Sequence, residues 1–491
     1  MSSERLGLAT LDALPSTIRP GYDPRDLAIG LVHLGAGAFF RAHQAMYTDA
    51  VVAGGDHRWG IFATSQRSPT VSDILNAQDG LYGVLERSTR NGARGAVVGA
   101  VRRAACASAD PHAVVDAIAD PAVHAVTLTV TEKGYRAQEG QLATTDPEIE
   151  ADLAGRPPLT VVGQLVRGMQ KRDAAGAGPI ALISCDNLSD NGSVLRRLVH
   201  QFADRLNGNA APRIGEYIER HVTFPCTMVD RIVPATTDAD RADVERLLGV
   251  RDDACVVAEP FSQWVIADEF HGPRPAWERA GAVLTDDVAG YEQVKLRLLN
   301  ATHSLIAYLG GISGYATIAE ALCDPSIESA ARRLIDDDQI PTLRAPNGLD
   351  LRAYREDVLS RFANPALGHT TAQVAMDGSQ KLPQRVLSAV RQRRAAGAMP
   401  ATAALLVAAW MRFLLGRDDQ GRRLEVSDPL ADRLVPLLSR PAPAREVIRD
   451  TVEISGVFGP DLCADEDLLD TIAAWFDALC NHGVAETLRG A

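Results

Sequence analysis

The strongest constraint in this sequence is a change of texture near residue 285. Before it, short β-branched runs (Ala28 to Leu34, Val126 to Val130, Ile180 to Ser184) each end in a Gly, Ser, Thr or polar turn and alternate with helix-like stretches. Buried parallel strands read this way, and their alternation with helices predicts βαβ units. From Gly290 onward apolar positions recur every three or four residues: Tyr291 to Leu309, Ile327 to Asp336, Leu351 to Phe362, Gln380 to Ala396, Thr402 to Leu415 and Asp465 to His482. That is the helical period. The expected fold is α/β: an N-terminal Rossmann-type doubly wound sheet over 1–285, then a mostly α-helical C-terminal domain over 286–491.

Charge and cysteine usage narrow the function classes. Lys plus Arg number 50 against 63 Asp plus Glu, a net charge of −13. A nucleic-acid binder needs the opposite, a basic stripe that displaces phosphate counterions. The basic cluster Arg391 to Arg394 reads as a solvated helix face. Seven scattered cysteines, an odd number with no CxxC pair, argue against a disulfide framework or a zinc finger and for a reducing compartment. The first residues lack a basic start followed by an apolar core, and the most apolar run, Ala403 to Met411, falls well short of the ~18 residues of a membrane span. A cytoplasmic globular protein with neither nucleic-acid nor membrane partners is expected, its oligomeric state left open.

Within the first half, Leu31-Val32-His33-Leu34-Gly35-Ala36-Gly37-Ala38-Phe39-Phe40 carries a strand into a Gly-x-Gly turn, with a helix-forming stretch from Ala42 to Val52 behind it. Such glycines permit a tight turn and the close approach of a pyrophosphate to a helix N-terminus. A plain strand-turn-helix junction is the alternative, because Phe40 stands where the fingerprint has its third glycine. Gly35, Gly37, Phe39 and Arg41 are the candidate dinucleotide contacts. The next strand, expected over Trp59 to Thr64, runs into Ser65-Gln66-Arg67-Ser68 without the usual ribose-binding acid. Ser65 and Arg67 suit a 2′-phosphate, which keeps NADP open beside NAD; Arg67 as a mere loop charge is the plainer alternative.

Three further motifs sit at strand ends. Thr131-Glu132-Lys133-Gly134-Tyr135 reads equally as an active-site rim or an exposed loop. Ser184-Cys185-Asp186-Asn187, with Asn191-Gly192 beyond, offers amides that cap a helix or face an oxyanion. Phe224 to Pro234 brackets Asp230-Arg231 between prolines, a stiff loop that places a carboxylate or holds a structural ion pair. In the helical half, Asn300 lies ~140° and His303 ~80° around a helix from Lys295, so the three share one broad sector. Polar side chains on a covered face are costly unless they are used; a helix–helix hydrogen-bond network with Lys295 reaching water is the competing reading. Tyr291 and Lys295 have the Tyr-x-x-x-Lys spacing of short-chain dehydrogenases, but they open the helical half, which disqualifies that reading.

Seven blocks in order together resemble the mannitol dehydrogenase family of polyol-specific long-chain dehydrogenases. They are the glycine turn with Arg41-Ala42-His43-Gln44, Thr131 to Tyr135, Ser184 to Asn187 with Asn191-Gly192, Phe224 to Pro234, Glu259-Pro260-Phe261 with Gln263 to Ile266, Lys295 to Ser304, and Met376 to Pro383. The resemblance runs from about residue 29 to 485. It implies a zinc-independent, NAD-dependent secondary-alcohol dehydrogenase whose active site lies between its two domains, with no metal and with a small polyol, ketose or sugar acid as substrate. Lys295 is then the general base in oxidation and the general acid in reduction. Asn191 and Asn300 stabilise the oxyanion, and Asp230, His303 and Lys381 contact substrate hydroxyls. A lysine base must lose its proton near neutral pH, through burial or nearby positive charge; Lys381, and His303 if protonated, would supply that charge.

For substrate, the first expectation is D-mannitol and D-fructose, and the alternative is reduction of D-fructuronate to D-mannonate. The Phe224 to Pro234 block and the block from Asp377 to Arg385 look closer to fructuronate reductases. Yet His369-Thr370-Thr371-Ala372-Gln373 stands where those enzymes have His-Arg-Thr-Trp-Gln, which removes a natural carboxylate partner. Phe40 and Ala267 also depart from the family pattern. An Arg within reach of the substrate's terminal group would favour the acid.

Overall fold

The computed structural model describes residues 4–88, 92–138, 140–208 and 210–490. The chain divides into two compact units, Met1–Val288 and Ala289–Ala491.

The first unit is built on a six-stranded sheet: β1 (Ile29–Leu34), β2 (Gly60–Ser65), β3 (Val101–Cys106), β4 (Ala125–Leu128), β5 (Ile180–Ser184) and β6 (Val222–Thr223). All neighbouring pairs are parallel and the order is β6-β5-β4-β1-β2-β3. That is the doubly wound order, and its direction of winding reverses between β1 and β4, where ligands bind beyond the strand ends. Both faces are covered, as a parallel sheet requires. Leu31, Ile61, Ala125 and Ile183 belong to one apolar cluster, while Val32, Phe62, Val126 and Leu182 belong to the other.

Two local departures from the sequence reading matter for the site. Strand β4 stops at Leu128 rather than Val130, because Thr131 takes a φ of 64° that no strand can continue. The helix expected over Ala42 to Val52 is two pieces, α1 (Ala38–Ala42) and α2 (Gln44–Ala53), broken at His43 with φ −130° and ψ −91°. A further helix, α3 (Asn191–Ala203), follows β5. Beyond the main sheet, β7 (Thr227–Asp230) pairs antiparallel with β8 (Gln263–Ala267), which pairs in parallel with β9 (Val283–Thr285).

The second unit is helical: α4 (Val288–Val294), α5 (Ala301–Ser313), α6 (Leu351–Phe362), α7 (Thr371–Ala375), α8 (Gly378–Leu382), α9 (Ala401–Leu414) and α10 (Glu466–Arg489) carry its framework. Helix α9 is buried from Thr402 to Leu414 and packs on α5 and α10. Its apolar run is therefore a core helix, apolar on every side because every side is covered. No helix among the described residues is long and apolar enough to cross a membrane.

Three stretches expected as helices run into a π turn, Leu334–Gln339 in one, Lys295–Asn300 in another and Pro383–Leu387 in the last. Pro383 explains the last, since it has no N–H to give the preceding turn. Lys295–Asn300 contains neither Pro nor Gly. Wider turns of this kind recur at functional sites.

Candidate active site

In the first unit a cleft of about 570 Å³ opens at the carboxyl ends of β1, β2 and β4, lined by Gly35 to Gly37, Ser65 to Ser68 and Thr129 to Thr131. Its floor is the glycine turn. Gly35 has a φ of +106°, and a Cβ there would stand 2.1 Å from the Thr129 carbonyl oxygen. Only glycine fits. At Gly37, the N-cap of α1, a Cβ would meet no protein atom nearer than the Gly35 oxygen at 3.9 Å. Space beside that backbone is open, the condition a pyrophosphate needs.

The turn is held from below. His33 on β1 is fully buried, its Nδ1 2.7 Å from Thr127 Oγ1 and its Nε2 3.0 Å from the Gly35 carbonyl. Burial pushes its pKa down to about 3, so the ring is neutral. Phe40 stacks on it at 3.6 Å between ring centroids, which gives a structural reason for an aromatic residue there. On the cleft wall, the strained Thr131 is clamped by Asp186, whose carboxylate accepts from the backbone N–H groups of Thr131 (2.7 Å) and Val130 (3.1 Å) and from the Tyr135 hydroxyl (2.7 Å). A strained φ persists only where its surroundings over-determine it, and such residues cluster at ligand sites. Lys133 and Gly134 also line the cleft, so this motif is a rim.

Four of the six candidate dinucleotide contacts line the cleft: Gly35, Gly37, Ser65 and Arg67. Phe39 and Arg41 do not. Phe39 stacks on His43 at 4.9 Å. Arg41 is buried, donating to the Gly37 carbonyl at 3.3 Å and to the Ala254 carbonyl, and it lies over the Tyr82 ring. Its guanidinium braces the turn from inside.

Asn191 and Asp230 are buried in the same unit. The Asn191 amide is saturated: Nδ2 donates to the carbonyls of Asp186 (3.1 Å) and Thr227 (2.9 Å), and Oδ1 accepts from the Thr227 N–H (2.9 Å). This side chain clamps the start of β7 to the β5–α3 turn, and in this structure it has no N–H left for an oxyanion. Next to Asp230, the Arg231 guanidinium pairs with Glu86 and donates to the carbonyls of Glu259 (2.7 and 2.9 Å) and Ala42 (2.5 Å). The structural ion pair at this loop is thus Arg231 with Glu86.

In the second unit Lys295 and Asn300 open and close one π turn, and both are 8% exposed. The wider turn narrows the angle between them relative to an α-helix. The Asn300 Nδ2 is buried without a partner, as is Nε2 of His303. Buried donors are rarely left so. His303 stacks on Phe362 at 4.4 Å and on His369 at 5.5 Å. Burial, reinforced by His369, Arg385, Arg361 and Lys381, holds its pKa well below the ordinary value. His303 is therefore neutral and does not supply the positive charge expected of it. Lys381 donates to the Met376 carbonyl at 2.5 Å; burial and then Arg385 lower its pKa, against Asp377 and Asp428. Thr370 caps α7, its hydroxyl accepting from the Gln373 N–H at 3.2 Å.

Residues 29–279 match the mannitol dehydrogenase Rossmann domain, and residues 287–480 match the mannitol dehydrogenase C-terminal domain. The chain belongs to the mannitol dehydrogenase family. It is an oxidoreductase of the class that acts on polyol hydroxyl groups. An uncharacterized oxidoreductase of Escherichia coli, YeiQ, is 40% identical over 476 residues, 96% of each chain. The D-mannonate oxidoreductase of the same organism is 39% identical over 475 residues, 95% of this chain and 96% of that one. Among solved structures, the Pseudomonas fluorescens mannitol 2-dehydrogenase in ternary complex with NAD and D-mannitol is 34% identical, covers 99% of both chains and superposes with a TM-score of 0.85.

Sequence reasoning missed Arg385, two residues into the Pro383–Leu387 π turn. Its Nη1 donates to Ser304 Oγ at 3.0 Å and to the Asn300 carbonyl at 3.3 Å. The signal was the proline, which announces a broken helical turn immediately after Lys381. Among the described residues no group of three or more His, Cys, Asp or Glu is placed to hold a metal ion.

Proposed function

We propose that this chain is an NAD-dependent secondary-alcohol dehydrogenase that interconverts an open-chain polyhydroxy alcohol and its 2-keto counterpart, with Lys295 as acid and base. The observation that carries the reading is the pairing, on one π turn, of a buried Lys295 with an Asn300 whose Nδ2 has no partner. A bound nicotinamide supplies the hydride acceptor in oxidation and the hydride donor in reduction. Gly35 and Gly37 would hold its pyrophosphate, and Ser65 and Arg67, at the end of the second strand, would contact its adenosine ribose. Lys295 Nζ takes the hydroxyl proton as the carbonyl forms and returns it in reduction. Asn300 Nδ2 donates to the same oxygen, stabilising the charge that develops there. His303, neutral, and Lys381 hold neighbouring hydroxyls; Asp230 is the further candidate for a substrate hydroxyl.

D-mannitol with D-fructose is the substrate pair that the sequence puts first, and the P. fluorescens complex contains D-mannitol. D-mannonate with D-fructuronate is the second reading, supported by Arg385 beside Asn300 and by the D-mannonate oxidoreductase relative. The test is the initial rate with NADH and with NADPH against D-fructose and D-fructuronate separately. Reduction of either ketose, faster with NADH, is expected. Coenzyme binding without reduction of either would overturn the reading.

A further inference from the structure

Around His303 the second unit gathers basic groups. The groups that act on this ring are His369, Arg385, Arg361 and Lys381, all basic. The π turn carrying Arg385 packs directly on the π turn that runs from Lys295 to Asn300. Arg385 uses one nitrogen, Nη1, to bond Ser304 Oγ (3.0 Å) and the Asn300 carbonyl (3.3 Å). Its Nε and Nη2 form the other edge of the guanidinium fork. They make no hydrogen bond, and Arg385 pairs with no carboxylate among the described residues.

This is an unusual state for a largely covered arginine. Desolvating a cation without an anion is costly, and arginine in such places is normally paired. Burial pulls the Arg385 pKa down to about 10, so it keeps its charge at neutral pH. Lys381, on the same helical stretch, adds a second positive group. Asp377 and Asp428 act on Lys381, but no carboxylate acts on Arg385, and a neutral hexitol would bring it none. A planar carboxylate matches the free edge of the fork, two N–H groups side by side.

We propose that Arg385 grips a carboxylate at the end of the substrate, so that the preferred substrate class is an open-chain sugar acid rather than a neutral polyol. This rests on the reading of Lys295 and Asn300 as the reacting centre. Arg385 replaces, from a different position in the chain, the Arg that is missing at Thr370. Thr370 itself serves as a helix cap.

The experiment compares kcat/KM for D-fructuronate and D-fructose, with NADH, in the wild type, Arg385→Gln and Arg385→Lys. The wild type is expected to prefer D-fructuronate. In Arg385→Gln the fructuronate-to-fructose ratio should fall roughly 30- to 150-fold, mainly through KM, the scale of a lost charge-assisted hydrogen bond. Arg385→Lys, which keeps the charge and loses the fork, should fall between. A ratio unchanged in Arg385→Gln overturns the assignment, and so does a wild type that prefers D-fructose; that wild-type ratio stands even if a variant fails to fold. Reduction of neither ketose by an enzyme that binds NADH overturns instead the dehydrogenase reading on which the proposal rests.

Discussion

The glycine-turn region of the first unit and the π-turn region of the second handle their polar groups in opposite ways. Below and beside the cleft, bonds are closed: His33 is engaged at both ring nitrogens, Asp186 takes three donors and Asn191 has its amide fully bonded. On and beside the π turns, polar atoms are left open: Asn300 Nδ2 and His303 Nε2 are buried without a partner, and one edge of Arg385 makes no hydrogen bond. A region of closed bonds gives a rigid cradle whose ligand contacts are backbone and shape. A region of open donors stays costly until a ligand with the complementary acceptors arrives. On the proposed function, the first would hold the coenzyme and the second would discriminate among substrates.

The largest break in this contrast is predicted for Asn300→Ala. Removing a donor aimed at a developing oxyanion lowers kcat by about 10²- to 10³-fold. Steady-state rates would show it, with thermal stability little changed because no existing bond is lost. Gly35→Ala comes next and acts on the closed side. Its Cβ would meet the Thr129 carbonyl at 2.1 Å on a positive-φ backbone, so a loss of about 2–5 kcal/mol is expected in denaturant unfolding. Gly37→Ala sharpens the point. No protein atom lies in the way, so the stability cost is the N-cap preference of Gly over Ala alone, about 0.5–1.5 kcal/mol. A titration of NADH fluorescence should nevertheless show at least about tenfold weaker binding, because the methyl group fills space reserved for the pyrophosphate.

The last effect concerns pH and is absent at neutrality. His33 is held neutral in the fold, with its pKa lowered from 6.5 to about 3, and His303 is lowered likewise. Below pH 6.5 the unfolded chain takes up protons that the folded chain refuses, so each group removes stability as pH falls, by up to about 1.4 kcal/mol per pH unit. Above pH 6.5 both states are neutral and the effect vanishes. Melting curves of His33→Asn should therefore show a shallower fall between pH 6.5 and 4 than the wild type.

The contrast also explains what the sequence could tell. Strand, glycine turn and helix are local patterns, so the doubly wound sheet and the helical half were legible from periodicity alone. Lys295, Asn300 and His303 were legible as a polar group on a covered helix. That Lys295 and Asn300 bound a π turn was not, because nothing in Lys295 to Asn300 breaks a helix. Whether a donor is open or closed depends on residues distant in sequence. Asn191 is saturated by Thr227, 36 positions on, and Arg231 found Glu86 rather than its neighbour Asp230. The family resemblance gave Asn191 and Asn300 the same role, yet in this structure the Asn191 amide is fully bonded and the Asn300 Nδ2 has no partner. Arg385 went unnoticed for the same reason, since an arginine without an anion looks in sequence like any other.

The central claim is that the chemistry resides on Lys295 while coenzyme is held elsewhere. The most direct measurement is NADH affinity and turnover of a 2-ketose on the same preparation of Lys295→Ala. NADH binding equal to that of the wild type, with turnover reduced by at least about three orders of magnitude, is the predicted result. Turnover within tenfold of the wild type would contradict it.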